Sequence, residues 1–435
     1  MKVLIVSAET WRDDTNGGNV LSNLFSGMDA EFSQIYCNPG KPQNSVCNNY
    51  FQMTDQMVLS RVLSRKEIGK SFITSKASTD SKKEIISPDS KENRVVKLLK
   101  KFNSESLRVL KDILWLSSNW KNKTLDRFIK ETSPDVIFAP CYGSFFMHQL
   151  VRHIHKVTNK PVISYISDDF IGYRQFSLSP IFWINRILMR KTVINTSKIY
   201  SLLYTMTKEQ MDETAPIVHC PMKILKKPVS LTNLSVAKTT SPPIKLIFAG
   251  NLYVGRLNVL IELAKAIQIL NKDASKFGLH IYSGYQPSEP ELAVLNDKQN
   301  TFFHGLISSN ELQQRYSESD VALHIESFKV KYRLTTRLSF STKITDCLSS
   351  GCAVMVIAWS EHAGFTYLKA NNAAICIDSL NKVSETLNDL ASCPEKIGFY
   401  RQQAKQLAIK NHNRTEIQSM VSNDFQEVIT DKAYH

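Results

Sequence analysis

The chain has 435 residues, too many for one ordinary domain and suited to two. Its 43% hydrophobic and 22% charged residues exclude a disordered chain, and each domain can bury a core without disulfides or metal. Lys and Arg number 54 against 40 Asp and Glu, and 18 basic against 8 acidic residues lie between Arg61 and Lys130, so about +10 of the net +14 sits in one segment. That distribution favours a local basic surface for phosphate, acidic lipid or nucleic acid over a uniformly basic protein.

Lys2 to Ser7 reads as a first buried strand and is too short an apolar run for a signal peptide. A polar loop with Asp13, Asp14, Gly17 and Gly18 follows, then a helix from Asn19 to Met28. Strand, glycine loop and helix open a doubly wound α/β domain. Residues 64–93 are rich in Ser, Lys, Asp and Thr and read as a weakly ordered insertion. Residues 94–116 place Val95, Leu98, Leu99, Phe102, Leu107, Leu110, Leu114 and Trp115 near helical spacing with Lys and Arg between them. This is a basic amphipathic helix, either packed on its own domain or lying on anionic lipid.

Pro134 to Ala139, Pro161 to Ile166 and Ile199 to Tyr204 read as further strands, with a helix from Phe145 to Val157. The apolar stretch SPIFWINRILMRKTVI is interrupted by Arg186, Arg190 and Lys191, so no spanning helix is predicted. SLTNLSVAKTTSPP is a Ser/Thr/Pro linker, after which the strand–helix pattern restarts. Strands are expected at Ile244 to Ala249, Leu279 to Ser283, Thr301 to His304, Val321 to His324, Ala353 to Ile357 and Ala374 to Ile377. Polar-faced helices are expected from Pro394 onward. The resulting domains are 1–228, with a basic insertion near 62–116, and 244–393, joined by the linker 229–243. The tail, 394–435, is expected to return to the first domain. Two Rossmann-like domains joined this way present strand carboxyl ends to a central cleft, where ligands bind.

The eight cysteines form no CxxC pair and complete no zinc pattern with the histidines. They read as buried reduced thiols of a cytosolic protein. No HExxH motif occurs, and His153 and His155, two apart on a helix, do not share a face.

Two segments carry chemistry. In LIFAGNLYVGRLNVLIELAKAI a strand runs into Gly250, a short loop and a helix. The backbone N–H groups at that helix start suit phosphate, with Arg256 at the mouth to neutralise a diphosphate, unless this is an ordinary turn with a solvated Arg. In RLSFSTKITDCLSSGCAVMVI, Ser341, Thr342 and Lys343 stand at a helix start, with Asp346 about one turn on. Hydroxyls, helix dipole and Lys suit phosphate, and the carboxylate can accept hydrogen bonds from a sugar diol. The plain alternative is an N-cap with a solvated Lys.

Here the chain resembles the GT-B glycosyltransferases, in particular those near glycosyltransferase family 4 that build bacterial surface polysaccharides. The resemblance runs over roughly 244–390. It rests on the glycine turn at Gly250, on the stretch FFHGLISSNELQQRYSESDVALHIESF, and on Ser341 to Gly351, which matches a Ser/Thr-Lys-x-x-Glu-x-Leu-x-x-Gly segment. The first third matches through GGNVLSNLF and a strand ending in SDD. The resemblance implies that Gly250 and Arg256 approach the donor diphosphate, Arg256 standing where Lys is common and Asn251 where Arg is common. It implies that Asp346 takes the place of a Glu that holds ribose hydroxyls. The first Glu of the family's pair falls at Leu338, with Glu326 as a substitute. Gly17 and Gly18 let the first loop approach phosphates or acceptor.

The acceptor hydroxyl needs a base. Asp13, Asp14, Asp168, Asp169 and His148 are candidates, and Asp168 and Asp169, ending a buried strand, are favoured over a simple helix-cap role. No DxD dyad appears, so no metal ion and no cofactor are expected, with basic groups and helix dipoles stabilising the leaving diphosphate. The expected function is metal-independent transfer of a sugar from a nucleotide-diphosphate sugar to a lipid-linked oligosaccharide or glycan, in capsule or O-antigen synthesis. The expected location is the cytoplasm, peripheral on the inner membrane face, with an anionic membrane surface as a partner. A nucleotide-sugar 2-epimerase and a non-catalytic nucleotide-sugar-binding protein of the same fold are the alternatives. Nucleic acid is not expected as a partner, because no recognition motif accompanies the basic segment.

Overall fold

The computed structural model describes residues 1–13, 16–64, 68–74, 104–229 and 240–431. Two compact units emerge. The first comprises Met1–Tyr173, Ser177–Leu225 and the chain from Thr415, and the second comprises Arg174–Phe176 and Lys226–Arg414. Most of the linker, the insertion from 75 to 93 and the N-terminal part of the amphipathic segment, 94–103, lie outside the described residues, as does Asp14.

Unit 1 holds strands β1 (Lys2–Ser7), β2 (Glu31–Tyr36), β3 (Asn49–Gln52), β4 (Lys70–Ile73), β5 (Val136–Pro140), β6 (Val162–Ile166), β7 (Tyr200–Thr205) and β8 (Met222–Ile224). They form one sheet in the order β4-β3-β2-β1-β5-β6-β7-β8, parallel except for β4 against β3. Its helices are α1 (Asn16–Phe25), α2 (Asp55–Ser64), α3 (Ser104–Ser117), α4 (Lys123–Thr132), α5 (Phe145–Thr158), α6 (Pro180–Ser197) and α7 (Lys208–Thr214). Alternation along β1 feeds two cores. Leu4 and Val6 meet Ile35, Phe51, Trp115 and Ile137 on one face, while Val3 and Ile5 meet Phe25, Phe32 and Phe425 on the other.

Four details were not legible in the sequence. EFSQIY forms β2 although Ser33 and Gln34 are polar. Gln34 is fully buried, and its side chain bonds Ser7 Oγ at 2.8 Å and the Glu9 carbonyl at 3.0 Å, so tertiary partners offset the cost of its burial. Within the stretch read as a weakly ordered insertion, β4 pairs along the sheet edge. Helix α1 begins at Asn16, so Gly17 and Gly18 lie in its first turn and not in a loop. Helix α3 packs through Trp115, stacked on Phe146 at 3.9 Å, and through buried Asp112, which accepts from Ser144 Oγ at 2.7 Å. Leu110, on the apolar stripe of that helix, faces solvent.

Unit 2 holds β9 (Ile244–Ala249), β10 (Phe277–Tyr282), β11 (Thr301–Gly305), β12 (Val321–Ile325), β13 (Ala353–Ile357) and β14 (Ile375–Ile377). All are parallel, in the order β11-β10-β9-β12-β13-β14. Its helices are α8 (Arg256–Leu270), α9 (Glu289–Leu295), α10 (Ser309–Ser317), α11 (Val330–Thr336), α12 (Thr342–Leu348), α13 (Ala363–Ala370), α14 (Val383–Ser392) and α15 (Glu395–His412). The last helix, α16 (Arg414–Thr430), packs Ile417, Val421, Phe425 and Val428 into the core of unit 1. In both sheets the strand order reverses beside the first strand, and the crevice at such a switch point, at the strand carboxyl ends, is where doubly wound sheets bind ligands.

Candidate functional site

In unit 2 the switch point lies between β9 and β12. The chain leaves β9 through Gly250 and enters α8 through Val254 and Gly255, both left-handed with φ of 59° and 76°. A β-branched residue there is strained by about 1–3 kcal/mol, and such strain concentrates at functional sites. Arg256 then reaches back across the crevice. Its Nη2 donates to Glu326 Oε1 at 2.7 Å, its Nε lies 3.2 Å from Glu326 Oε2 and the Ile325 carbonyl, and its Nη1 donates to Asn251 Oδ1 at 3.2 Å. Gly250, Asn251, Arg256 and Glu326 are thus brought together. Glu326, expected as a substitute for a ribose-holding Glu, is buried with its carboxylate taken by Arg256.

Lys343 enters the same crevice from the first turn of α12. Ser341 is the cap of that helix, its Oγ accepting from the Lys343 N–H at 3.4 Å, and Thr342 is the first helical residue. The Lys343 stem passes directly over Gly250. A Cβ at Gly250, where φ is 153°, would stand 1.8 Å from Lys343 Nζ, so only glycine leaves the ammonium its place. Lys343 Nζ is buried, lies 5.5 Å from the Phe248 ring centre and has no hydrogen-bond partner. Burial first, and then the Arg256 charge, lower its pKa to about 8. A buried cation without a partner is costly unless a ligand supplies the counter-charge.

His324 stands beside this group and was not singled out from the sequence. It is buried, neither ring nitrogen has a hydrogen-bond partner, and burial holds its pKa well below the usual imidazole value, so the ring is neutral. Ligand atoms of His324, Glu326 and His362 lie within 4.8 Å of one another, a spacing that could hold a metal ion. Arg256 already occupies Glu326, however, and Lys343 adds a second positive charge close by, so the local field favours an anion over another cation. The signal in the sequence was the alternation of His324 and Glu326 at the end of a strand, which puts both on one face.

Asp346 is half-exposed on α12, and its Oδ1 accepts from Lys227 Nζ at 2.9 Å. Lys227 is buried, also approaches the Thr342 carbonyl at 3.4 Å, and has its own carbonyl 2.9 Å from His412 Nδ1. This partner stands 119 residues away, so no local spacing announces it.

In unit 1 the two favoured aspartates separate. Asp169 is buried, faces Arg186 Nη1 at 3.3 Å and accepts from the Gly172 N–H at 2.7 Å, so it acts as a structural anchor. Asp168 is exposed just after β6, and burial, together with the Asp168 charge, holds the neighbouring Tyr165 hydroxyl up near 12. His148 is buried with Nε2 3.0 Å from the Tyr142 carbonyl, and burial lowers its pKa to about 4. Asp13 accepts from Ser22 Oγ. Glu9, not considered from the sequence, follows β1 and acts electrostatically on both Tyr142 and Tyr165.

No family model and no curated protein sequence matches the chain. Solved structures do. HepE of Anabaena in complex with UDP and glucose superposes with a TM-score of 0.60 at 11% identity, covering 98% of this chain and 100% of that one. A sucrose-phosphate synthase from Thermosynechococcus elongatus gives 0.65 at 9% identity over 98% of each chain. A trehalose 6-phosphate synthase from Burkholderia multivorans gives 0.57 at 10% identity over 98% of this chain and 96% of that one. The fold is therefore the α/β, two-domain GT-B architecture that the resemblance implied.

Proposed function

We propose that a chain with this fold is a glycosyltransferase whose second unit binds a nucleotide-diphosphate sugar, with UDP as the nucleotide. The observation that carries the reading is the buried Lys343 ammonium, without a partner, at the switch point beside Arg256. A diphosphate supplies the counter-charge that this group lacks. Three Arg256 N–H groups are engaged by Glu326, Ile325 and Asn251, which leaves one on each terminal nitrogen for phosphate oxygens. Support for UDP comes from HepE, described in complex with UDP and with UDP-glucose.

In the proposed reaction the acceptor hydroxyl attacks the anomeric carbon and the bond from that carbon to the diphosphate oxygen breaks. Lys343 and Arg256 stabilise the charge that develops on the leaving diphosphate, in a site where burial strengthens each interaction. Asp346, steadied by Lys227, keeps one carboxylate oxygen for the ribose diol. Unit 1 serves the acceptor, and Asp168, exposed where Asp169 is not, takes the acceptor proton. The acceptor is a lipid-linked oligosaccharide or growing glycan of a bacterial surface polysaccharide, and the transfer is metal-independent.

A thermal-shift panel of nucleotides and nucleotide sugars tests this, because a ligand that binds only the folded state raises its melting temperature. A selective rise with UDP or one UDP-sugar supports the donor site. No response from folded protein removes it, and epimerised donor formed without acceptor replaces transfer by isomerisation.

A further inference from the structure

Surface helices normally turn polar residues to water. The first half of helix α6 instead turns apolar residues out. Ile181, Ile184 and Leu188 are 52%, 59% and 49% exposed, and Leu178, just before the helix, is 90% exposed. Neighbouring α3 adds Leu110, Ile113 and Leu116 at 50%, 56% and 38%. The two helices pack against each other, and single exposed apolar residues do not account for two adjoining stripes.

The charge along α6 has one sign. From Pro180 to Lys198 the chain carries Arg186, Arg190, Lys191 and Lys198 and no Asp or Glu. Arg186 is spent inward on Asp169, and Arg190 covers the Tyr173 ring at 4.8 Å, while Lys191 and Lys198 are exposed. On α3, Lys111 pairs with Asp55 at 2.9 Å, and Asp112 points into the core. No helix of the described residues is long and apolar enough to cross a membrane. An apolar stripe bordered by lysines on such a helix fits the plane of an anionic bilayer, with aliphatic side chains below the headgroups and ammonium groups at the phosphates. A second copy is a poor occupant, because it would bring two basic faces together.

We propose that the solvent-facing side of α6 and α3 in unit 1 is a docking surface for an anionic lipid bilayer. This inference rests on the reading of a membrane-held acceptor and names the residues that would meet the membrane. It moves the lipid contact from residues 94–116 alone to a surface centred on α6.

The test is co-sedimentation of the full chain with phosphatidylcholine vesicles, with and without added phosphatidylglycerol, at low and high salt. The expected result is binding that requires phosphatidylglycerol and weakens with salt. The double variant Ile184→Asp/Leu188→Asp is expected to bind about tenfold more weakly or worse. Lys191→Glu is expected to lose much of the preference for phosphatidylglycerol. Lys191→Glu should keep the wild-type melting temperature, and the double variant should stay folded with a cooperative transition at a modestly lower one, since Ile184 and Leu188 are about half exposed and Asp is the poorer helix former. Equal binding to neutral vesicles, unchanged binding by the double variant, or a solution dimer that the double variant dissociates would each overturn the proposal. The UDP-induced rise in melting temperature is read on the same samples. A rise without vesicle binding removes the docking surface and leaves the donor site, and vesicle binding without a rise does the opposite.

Discussion

Replacing Lys343 by Met should stabilise the empty protein and abolish its response to UDP, two effects of opposite sign from one substitution. The Lys343 pKa falls from 10.5 to about 8 on folding, mainly through burial. A tenfold change in proton affinity is worth about 1.4 kcal/mol, so holding the ammonium charged at neutral pH costs the empty site roughly 3 kcal/mol. Met keeps the length of the stem against Phe248 and removes the charge. With packing losses set against the gain, we expect a net stabilisation of about 1–3 kcal/mol at pH 7. The sign with pH follows by linkage. Between about 8 and 10.5 the unfolded chain binds the proton and the folded chain does not, so wild-type stability should rise with pH across that window. Below about 8 both states are protonated and the cost is constant. Denaturant titrations of wild type and Lys343→Met from neutral pH to about pH 10 should therefore converge as pH rises. Bound diphosphate favours the charged lysine, so wild-type UDP affinity should fall above about pH 8. A Met variant less stable than wild type at neutral pH, with an intact response to UDP, would refute the reasoning.

Gly250→Ala should displace the Lys343 ammonium, because the new Cβ would stand 1.8 Å from Nζ at a φ of 153°. We expect a loss of about 1–3 kcal/mol in stability and a strongly reduced stabilisation by UDP in calorimetry. The two aspartates after β6 should behave differently. Asp169→Asn breaks a buried pair with Arg186 and should cost about 3–5 kcal/mol in denaturant unfolding. Asp168→Asn should leave the melting temperature in place and lower the rate of transfer about 10²–10⁴-fold, and unchanged turnover would remove Asp168 as the base. Lys227→Met should weaken donor binding about tenfold through loss of the contact that orients Asp346. Lys227→Arg should recover part of that loss in the same titration, and equal affinity in all three proteins would show that Asp346 needs no such support.

Much of the fold is legible in local pattern. The buried parallel strands are continuous apolar runs bounded by Gly, Pro or polar turns, so Ile244–Ala249 and Ala353–Ile357 can be read from the chain to the residue. Burial on both faces of a sheet demands such runs, and that demand acts on neighbouring residues. The Gly250 turn and the Ser341–Lys343 helix start are legible for the same reason, since backbone geometry and capping are set within a few residues.

Where side chains meet partners distant in sequence, the pattern falls silent. EFSQIY does not look like a buried strand until Ser7 and Glu9 are in place to receive Gln34. Glu326 looks available for a ligand until Arg256, seventy residues earlier, closes on it. Asp346 stands alone until Lys227 arrives, and Asp168 and Asp169 are equivalent until Arg186 buries one of them. Composition and spacing determine which segments become strands and helices, because those choices depend on local backbone energies and on how much apolar surface each segment must hide. Only the tertiary structure decides which charges neutralise one another and which remain uncompensated, because the interaction of two charges depends on their distance and burial and not on their separation along the chain.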